Sequence, residues 1–114
     1  MPGIVEYKET VDYTWVIARA LDRVLESYAS VSYDTPGPGI RKLLMTVRAL
    51  YAAVRPLVAH EIGGRLAEVD RLVRSGRHRQ ALQAIDDIIH DILGELDRRG
   101  LLIRSKRLMG VVEE

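Results

Sequence analysis

The sequence contains no cysteine, no phenylalanine and no asparagine, and its apolar runs are too short to cross a membrane. Without cysteine it can form neither a disulfide nor a thiolate metal site. Its first residues, Met1 to Gly3, have neither the basic nor the apolar region of a secretory signal. We therefore expect a cytoplasmic protein, or one of a virion or host cytoplasm if its source is viral, with no membrane partner.

Amide side chains are almost absent, since the sequence has only Gln80 and Gln83 besides its lack of asparagine. Arginine outnumbers lysine by 14 to 3. Loss of heat-labile amides and cysteine is a trend in hyperthermophile proteins. This composition indicates a thermophilic source, archaeal or an archaeal virus, although a GC-rich genome explains the arginine excess equally well.

The 114 residues are 47% hydrophobic and 29% charged, which fits one folded domain. A Pro- and Gly-rich cluster at residues 32–39 ends the first predicted helix, which runs from about Tyr7 to Ala29. Elsewhere apolar residues recur with helical period. The last predicted helix runs from about His78 to Arg99, between Gly76 and Gly100 as stop signals.

The second predicted helix begins after Gly39, and its apolar pattern continues in phase past Pro56 and the Gly63–Gly64 pair. We interpret Pro56 as a kink within one long helix. The sequence therefore predicts an all-α bundle of three to four helices over residues 1–100, with a kinked long second helix. Residues 101–114 are expected to form a short C-terminal arm or tail.

Apolar surface on two helices predicts self-association. The apolar arc of the last helix, which includes Ile89 and Leu93, covers about half of its circumference. The second helix has small or apolar residues opposite its main stripe. The candidate interface residues are Met45, Ala49, Ala52, Ala53, Ile89 and Leu93. The alternative is that the second helix is central and is surrounded within its own subunit.

Candidate catalytic groups are few. His90 lies three residues after Asp87 and four after Asp86, which is half of a di-iron bundle site, but the sequence has no second such pair. The dipeptide His90-Asp91 is similar to the metal-binding pair of HD-type phosphohydrolases, which need a further aspartate after a long helical stretch. An Asp- and His-bearing polar face is more typical of solvent exposure. We predict no catalytic residue, no metal site and no cofactor.

Arg55 and His60, with four residues between them, resemble the Arg–His pair of the HEPN family of all-α ribonucleases and toxin modules. The resemblance implies a pair that polarises the scissile phosphate and assists proton transfer to the leaving group. Pro56 stands where that family has a polar residue, and the match covers only residues 55–61. A HEPN-like ribonuclease is therefore the third hypothesis.

Charge is unevenly distributed along the chain. Residues 36–85 carry nine basic and three acidic side chains, whereas residues 86–97 carry five acidic ones and no basic one. Seven-residue spacing places three arginines on one flank of the second helix, and four more gather at the turn before the last helix, with His78 among them. The candidate nucleic-acid-binding residues are Arg41, Arg48, Arg55, Arg71, Arg74, Arg77 and Arg79. These cations either contact phosphates or pair with acids of the first helix and with Asp86 and Asp87.

The sequence leads to two main functional hypotheses. The first is a non-enzymatic bundle protein that acts through self-association, as a homodimer, and through contacts with an unidentified protein partner. The alternative is a nucleic-acid-binding accessory protein that uses the arginine-lined helix. No aromatic side chain of tyrosine, tryptophan or phenylalanine follows Tyr51, which argues against a surface that stacks on bases.

Overall fold

The computed structural model of the protein describes the backbone of residues 2–101 and the side chains of residues 14–101. This part of the chain forms four α-helices and one 3-10 turn, with no strand, so the predicted all-α bundle is confirmed. The elements are α1 (Pro2–Tyr28), α2 (Ile40–Val54), the 3-10 turn (Arg55–Leu57), α3 (Glu61–Arg74) and α4 (His78–Arg98).

Helix α2 is the centre of the bundle, because it packs on α1 along one side and on α3 and α4 along the other. Helices α3 and α4 form a hairpin pair across the short turn at residues 75–77, whereas α1 packs mainly on α2. Aliphatic side chains from all four helices form one core. Its completely enclosed members include Ile17, Leu43, Val47, Leu50, Val54, Val69, Ile85, Ile88, Ile92 and Leu96.

The predicted long kinked helix is instead two helices. Helix α2 ends at Val54, the chain makes a 3-10 turn, and Val58 is extended with φ −125° and ψ 167° before α3 begins. Proline has no N–H to donate to the preceding helical turn, and its ring crowds the preceding backbone, so Pro56 ends α2. The helical period of apolar residues continues past Pro56 in the sequence because α2 and α3, on either side of the 3-10 turn, pack on the same core.

The predicted ends of α3 and α4 are confirmed at two glycines with positive φ, Gly76 at 79° and Gly100 at 72°. After α3, the Gly76 N–H bonds the Val73 carbonyl at 3.1 Å and the Arg77 N–H bonds the Leu72 carbonyl at 2.9 Å. This is the Schellman pattern, which satisfies carbonyls at a helix end. Of the predicted arm, only Leu101 is described, and it packs against the core; residues 102–114 lie outside the described residues.

Candidate functional site

Three arginines form a line along one side of α2. Arg41 and Arg48 belong to α2, and Arg55 follows it directly with helical dihedral angles of φ −48° and ψ −44°. All three side chains are exposed. Seven residues span almost two helical turns, so successive guanidinium groups start about 10 Å apart on the same flank. We call Arg41, Arg48 and Arg55 the α2 flank.

The α2 flank has no ion-pair partner in the part of the chain whose side chains are described. Helix α2 itself contains no acidic residue. Most arginines on α3 and α4 are different, because a carboxylate about one turn away, or on the facing helix, neutralises them. Those pairs are Arg65–Asp91, Arg71–Glu68, Arg74–Asp70, Arg98–Glu95 and Arg99–Glu95.

A shallow groove runs between α1 and α2 on the side of α2 away from the α2 flank. Arg23 and Glu26 line it from α1, and Lys42, Met45 and Ala49 line it from α2. Neither Arg23 nor Lys42 has an ion-pair partner within the described side chains. Glu26 is the one carboxylate among the groove residues. Cations without partners therefore lie on both sides of the outward face of α2.

The outward face of α2 is narrow and carries no charge along its centre. Met45, Ala49 and Ala52 lie within one helical stripe, and all three are exposed, Met45 at 69%. We call these three residues the α2 strip. Of the six residues predicted as an interface, only these remain accessible together, since Ala53 is half-buried.

Ile89 and Leu93 belong to the core of the same chain. Ile89 is 9% exposed, and Leu93 is half-buried against the core. The wide apolar arc of α4 is used inside the bundle because both α2 and α3 pack on this helix. The arc is therefore not surplus apolar surface, contrary to the prediction.

Two of the four arginines in the predicted cluster Arg71, Arg74, Arg77 and Arg79 have an acidic partner. Arg71 and Arg74 form ion pairs within α3, and Arg79 donates to the backbone carbonyl of Asp34 at 3.0 Å. The last contact ties the loop before α2 to the start of α4. Arg77 and Arg79 line a surface hollow with residues 35–37. This cluster has less charge available for an external anion than the α2 flank has.

The candidate metal and catalytic groups do not converge. His90 is exposed, Asp91 is paired with Arg65 at 2.6 Å, and Asp86 accepts hydrogen bonds from two tyrosines. No group of three or more histidine and carboxylate side chains within metal-binding reach exists among the described residues. His90 and Asp91 line a shallow cleft between α3 and α4 together with Arg65 and Arg98.

The HEPN-like pair does not lie on one helix. Arg55 begins the 3-10 turn, whereas His60 stands directly before α3, and the extended residue Val58 lies between them. The resemblance implies a pair on one helix, and the chain has no continuous helix from Arg55 to His60. The resemblance is therefore confined to the sequence.

One partly buried polar contact has no signal in the sequence. The Tyr28 hydroxyl donates to Asp86 Oδ1 at 2.5 Å, and the Tyr33 hydroxyl donates to Asp86 Oδ2 at 3.3 Å. Burial, followed by the hydrogen bond to the carboxylate, raises the pKa of Tyr28 well above its usual value of 10.0. The contact connects α1 to α4 across 58 residues of sequence.

No helix within residues 2–101 has the length and apolarity that a bilayer span requires. Comparison of the chain with protein-family models, with curated proteins and with solved structures found no match.

Proposed function

We propose that the protein is a non-enzymatic accessory protein that binds nucleic acid through the α2 flank. The observation that supports this proposal is the absence of an ion-pair partner for Arg41, Arg48 and Arg55 among the described side chains, although most arginines of α3 and α4 are paired. The intramolecular alternative, pairing of this flank with Asp22 or Glu26 of α1, has no ion pair to support it in the described structure.

A nucleic-acid backbone fits this flank better than a single small anion does. Three guanidinium groups repeat at a constant interval along one axis, and a phosphate backbone also repeats along an axis. Arginine presents a planar fork of donors that matches phosphate oxygens, and it stays charged at any physiological pH. Each guanidinium that neutralises a phosphate releases a condensed counterion, so binding is expected to depend steeply on salt.

The test replaces Arg41, Arg48 and Arg55 together with glutamine, which keeps helix propensity and much of the aliphatic stem. Fluorescence anisotropy with a labelled 20-base-pair DNA duplex gives the affinity at several salt concentrations. We expect the slope of log K against log salt to flatten by about two to three units in this variant. The melting temperature is expected to stay unchanged, because the three arginines have no ion pair to lose.

The matched control replaces Arg71, Arg74 and Arg98 with glutamine, which removes the same charge from side chains that already pair with Glu68, Asp70 and Glu95. Its salt slope should remain close to that of the parent protein. The proposal is wrong if the unmodified protein does not bind the duplex at about 50 mM salt, where exposed charges are least screened. An equal effect of both triple variants would also contradict it.

Self-association as a homodimer is the second candidate function. The observation in its favour is the α2 strip, where Met45 is 69% exposed beside two exposed alanines that would let another helix approach closely. Single exposed apolar residues are common on protein surfaces, and a contiguous stripe of them favours a contact surface. The α2 strip is as accessible to another protein as it is to a second copy.

A further inference from the structure

We infer that a hollow beside the first residues of α4 binds a phosphate group, an inference that goes beyond the proposed function. The hollow lies between the loop before α2 and the start of α4, and residues 35–37 and 76–80 line it. Its volume is about 560 Å³, within the range of about 300–1,000 Å³ that is usual for small-molecule sites, and it is open to solvent. We call it the α4 hollow. None of its residues belongs to the α2 flank or to the α2 strip.

The α4 hollow has basic side chains without an acidic partner. Arg77, His78 and Arg79 line it, and none of the described residues that line it is acidic. Arg77 forms no ion pair with a described side chain. Arg79 donates to the backbone carbonyl of Asp34 at 3.0 Å, and it too has no ion pair among the described side chains. Two guanidinium charges are therefore available here for an anion.

The two walls of the α4 hollow are held together by contacts that leave these charges free. The hydrogen bond from Arg79 to the Asp34 carbonyl connects the start of α4 to the loop. The imidazole of His78 also lies against the loop, since a Cβ at Gly37 would be 3.0 Å from His78 Nδ1. A ligand that enters a site whose walls are already in place pays less to order them.

The donors around the α4 hollow suit a phosphate group better than a carboxylate. Arginine has a planar fork of donors that matches phosphate oxygens, and both Arg77 and Arg79 line the wall at the start of α4. Gln80 adds an amide donor to that wall, and Thr35 adds a hydroxyl donor to the wall formed by the loop. A phosphate group has oxygens in enough directions to accept hydrogen bonds from both walls, whereas a carboxylate has only two oxygens in one plane.

The imidazole resonances of the three histidines give a local test by NMR. Only His78 lines the α4 hollow, whereas His60 and His90 are exposed elsewhere. We expect inorganic phosphate, titrated at constant pH in about 20 mM salt, to move the ring resonances of His78 and to leave those of His60 and His90 in place. Acetate at the same ionic strength should move the His78 resonances much less. Equal shifts with acetate, or equal shifts of all three histidines, would overturn the inference.

Arg77→Gln removes one guanidinium from the α4 hollow, and Arg74→Gln is its matched control. Arg74 pairs with Asp70 at 2.7 Å and does not line the hollow. From the phosphate dependence of the His78 resonances, we expect Arg77→Gln to weaken binding by about threefold to tenfold and Arg74→Gln by less than about twofold. Thermal melting followed by circular dichroism checks that both variants fold. Equal weakening by the two variants would show that only net charge matters, and the inference would be wrong.

Two labelled DNA strands that differ only in a 5′ phosphate identify the source of the phosphate group. If the end of a nucleic-acid strand is the ligand, the phosphorylated strand binds more tightly, and Arg77→Gln removes the difference. Equal binding of the two strands, while His78 still responds to inorganic phosphate, assigns the site to free phosphate or to a small phosphorylated molecule. A response of His78 without any binding of DNA overturns the proposed function alone, whereas no response of His78 overturns this inference alone.

Discussion

Gly39 is the residue that turns the chain into α2, and it does so with φ 87°, in the left-handed region. A Cβ at Gly39 would lie 2.9 Å from the backbone carbonyl oxygen of Ser30, which cannot move as a side chain could. Any larger residue therefore meets both backbone strain and a steric clash. The Pro- and Gly-rich cluster in the sequence marks the turn, but only the structure shows that a side chain at Gly39 would clash with the backbone.

We expect Gly39→Ala to lower the free energy of unfolding by about 2–4 kcal/mol. Gly76→Ala is the matched control, because Gly76 has a similar φ of 79° but open space where the alanine methyl group would lie. That control should lose only the strain of the left-handed conformation, about 1–2 kcal/mol. Urea denaturation of both variants measures the difference, and equal losses would show that the contact with Ser30 is immaterial.

Tyr28 makes the hydrogen bond between α1 and α4, and Tyr28→Phe removes it without changing the shape of the ring. The loss of a bond to a carboxylate is expected to cost about 1–2 kcal/mol of unfolding free energy. Tyr33→Phe is the control, since its bond to Asp86 is longer at 3.3 Å and its side chain is exposed. Denaturant titration should place the Tyr33 variant within about 0.5 kcal/mol of the parent protein.

The same tyrosine makes stability depend on alkaline pH. Burial, together with the bond to Asp86, raises the pKa of Tyr28 in the folded protein above its value in the unfolded chain. Above about pH 10 the unfolded chain loses this proton while the folded protein keeps it, so the unfolding free energy falls as pH rises. Below that pH the contribution is complete. Between about pH 9 and 11, the decline should be steeper in the parent protein than in Tyr28→Phe when both are titrated with denaturant.

Helix α4 supplies the largest continuous part of the core. Ile89 is buried on its inner side, whereas the next residue, His90, is exposed on the outer side. Replacing Ile89 with alanine leaves a cavity against the core, so we expect a loss of about 2–5 kcal/mol. His90→Ala is the matched control and should change the unfolding free energy by less than about 0.5 kcal/mol. A metal-dependent rise in melting temperature that His90→Ala abolishes would instead indicate a metal site at His90.

The ends of helices could be predicted from the sequence where the conformation of a single residue determines them. Gly76 and Gly100 end helices in the sequence pattern and in the structure, because positive φ is a local property of glycine. The break after Val54 was not predicted, because a proline such as Pro56 can either kink a helix or end it. Which one occurs depends on whether the following segment can pack as a separate helix, and that is a tertiary property.

Helical periodicity also shows which residues can face inward but not how wide the buried arc is. Leu25 fits the inner face of the first helix in the sequence, yet it is 56% exposed, whereas Ala18, seven residues earlier on the same side of α1, is 1% exposed. Ile89 and Leu93 differ from the prediction in the opposite direction. They were predicted to lie at an interface between copies, but α2 and α3 of the same chain cover them. The exposed arginines were predicted from their spacing alone. Spacing along the sequence does not give the distances between helices. It therefore could not predict that these arginines lack ion-pair partners, or that Tyr28 contacts Asp86.

At the scale of the whole molecule, the α2 flank and the α2 strip share one face. This arrangement determines how two copies of the protein can associate. Antiparallel pairing of two α2 helices through their strips would place the α2 flank of one copy beside that of the other. Like charges at this range repel, and salt shortens the screening length from about 10 Å at 0.1 M to about 3 Å at 1 M. Self-association through this face should therefore strengthen with salt, whereas binding to a nucleic acid should weaken.

We accordingly expect light scattering coupled to size-exclusion chromatography to show a larger dimer fraction at 1 M salt than at 50 mM, at a protein concentration of about 100 µM. Ala49→Arg places a further charge in the middle of the α2 strip and should prevent the dimer at both salt concentrations. Ala67→Arg, an exposed alanine in the middle of α3, controls for the added charge and should associate as the parent protein does. A monomer under all conditions would exclude the homodimer, and a dimer that salt dissociates would show that charge attraction rather than the α2 strip holds the copies together.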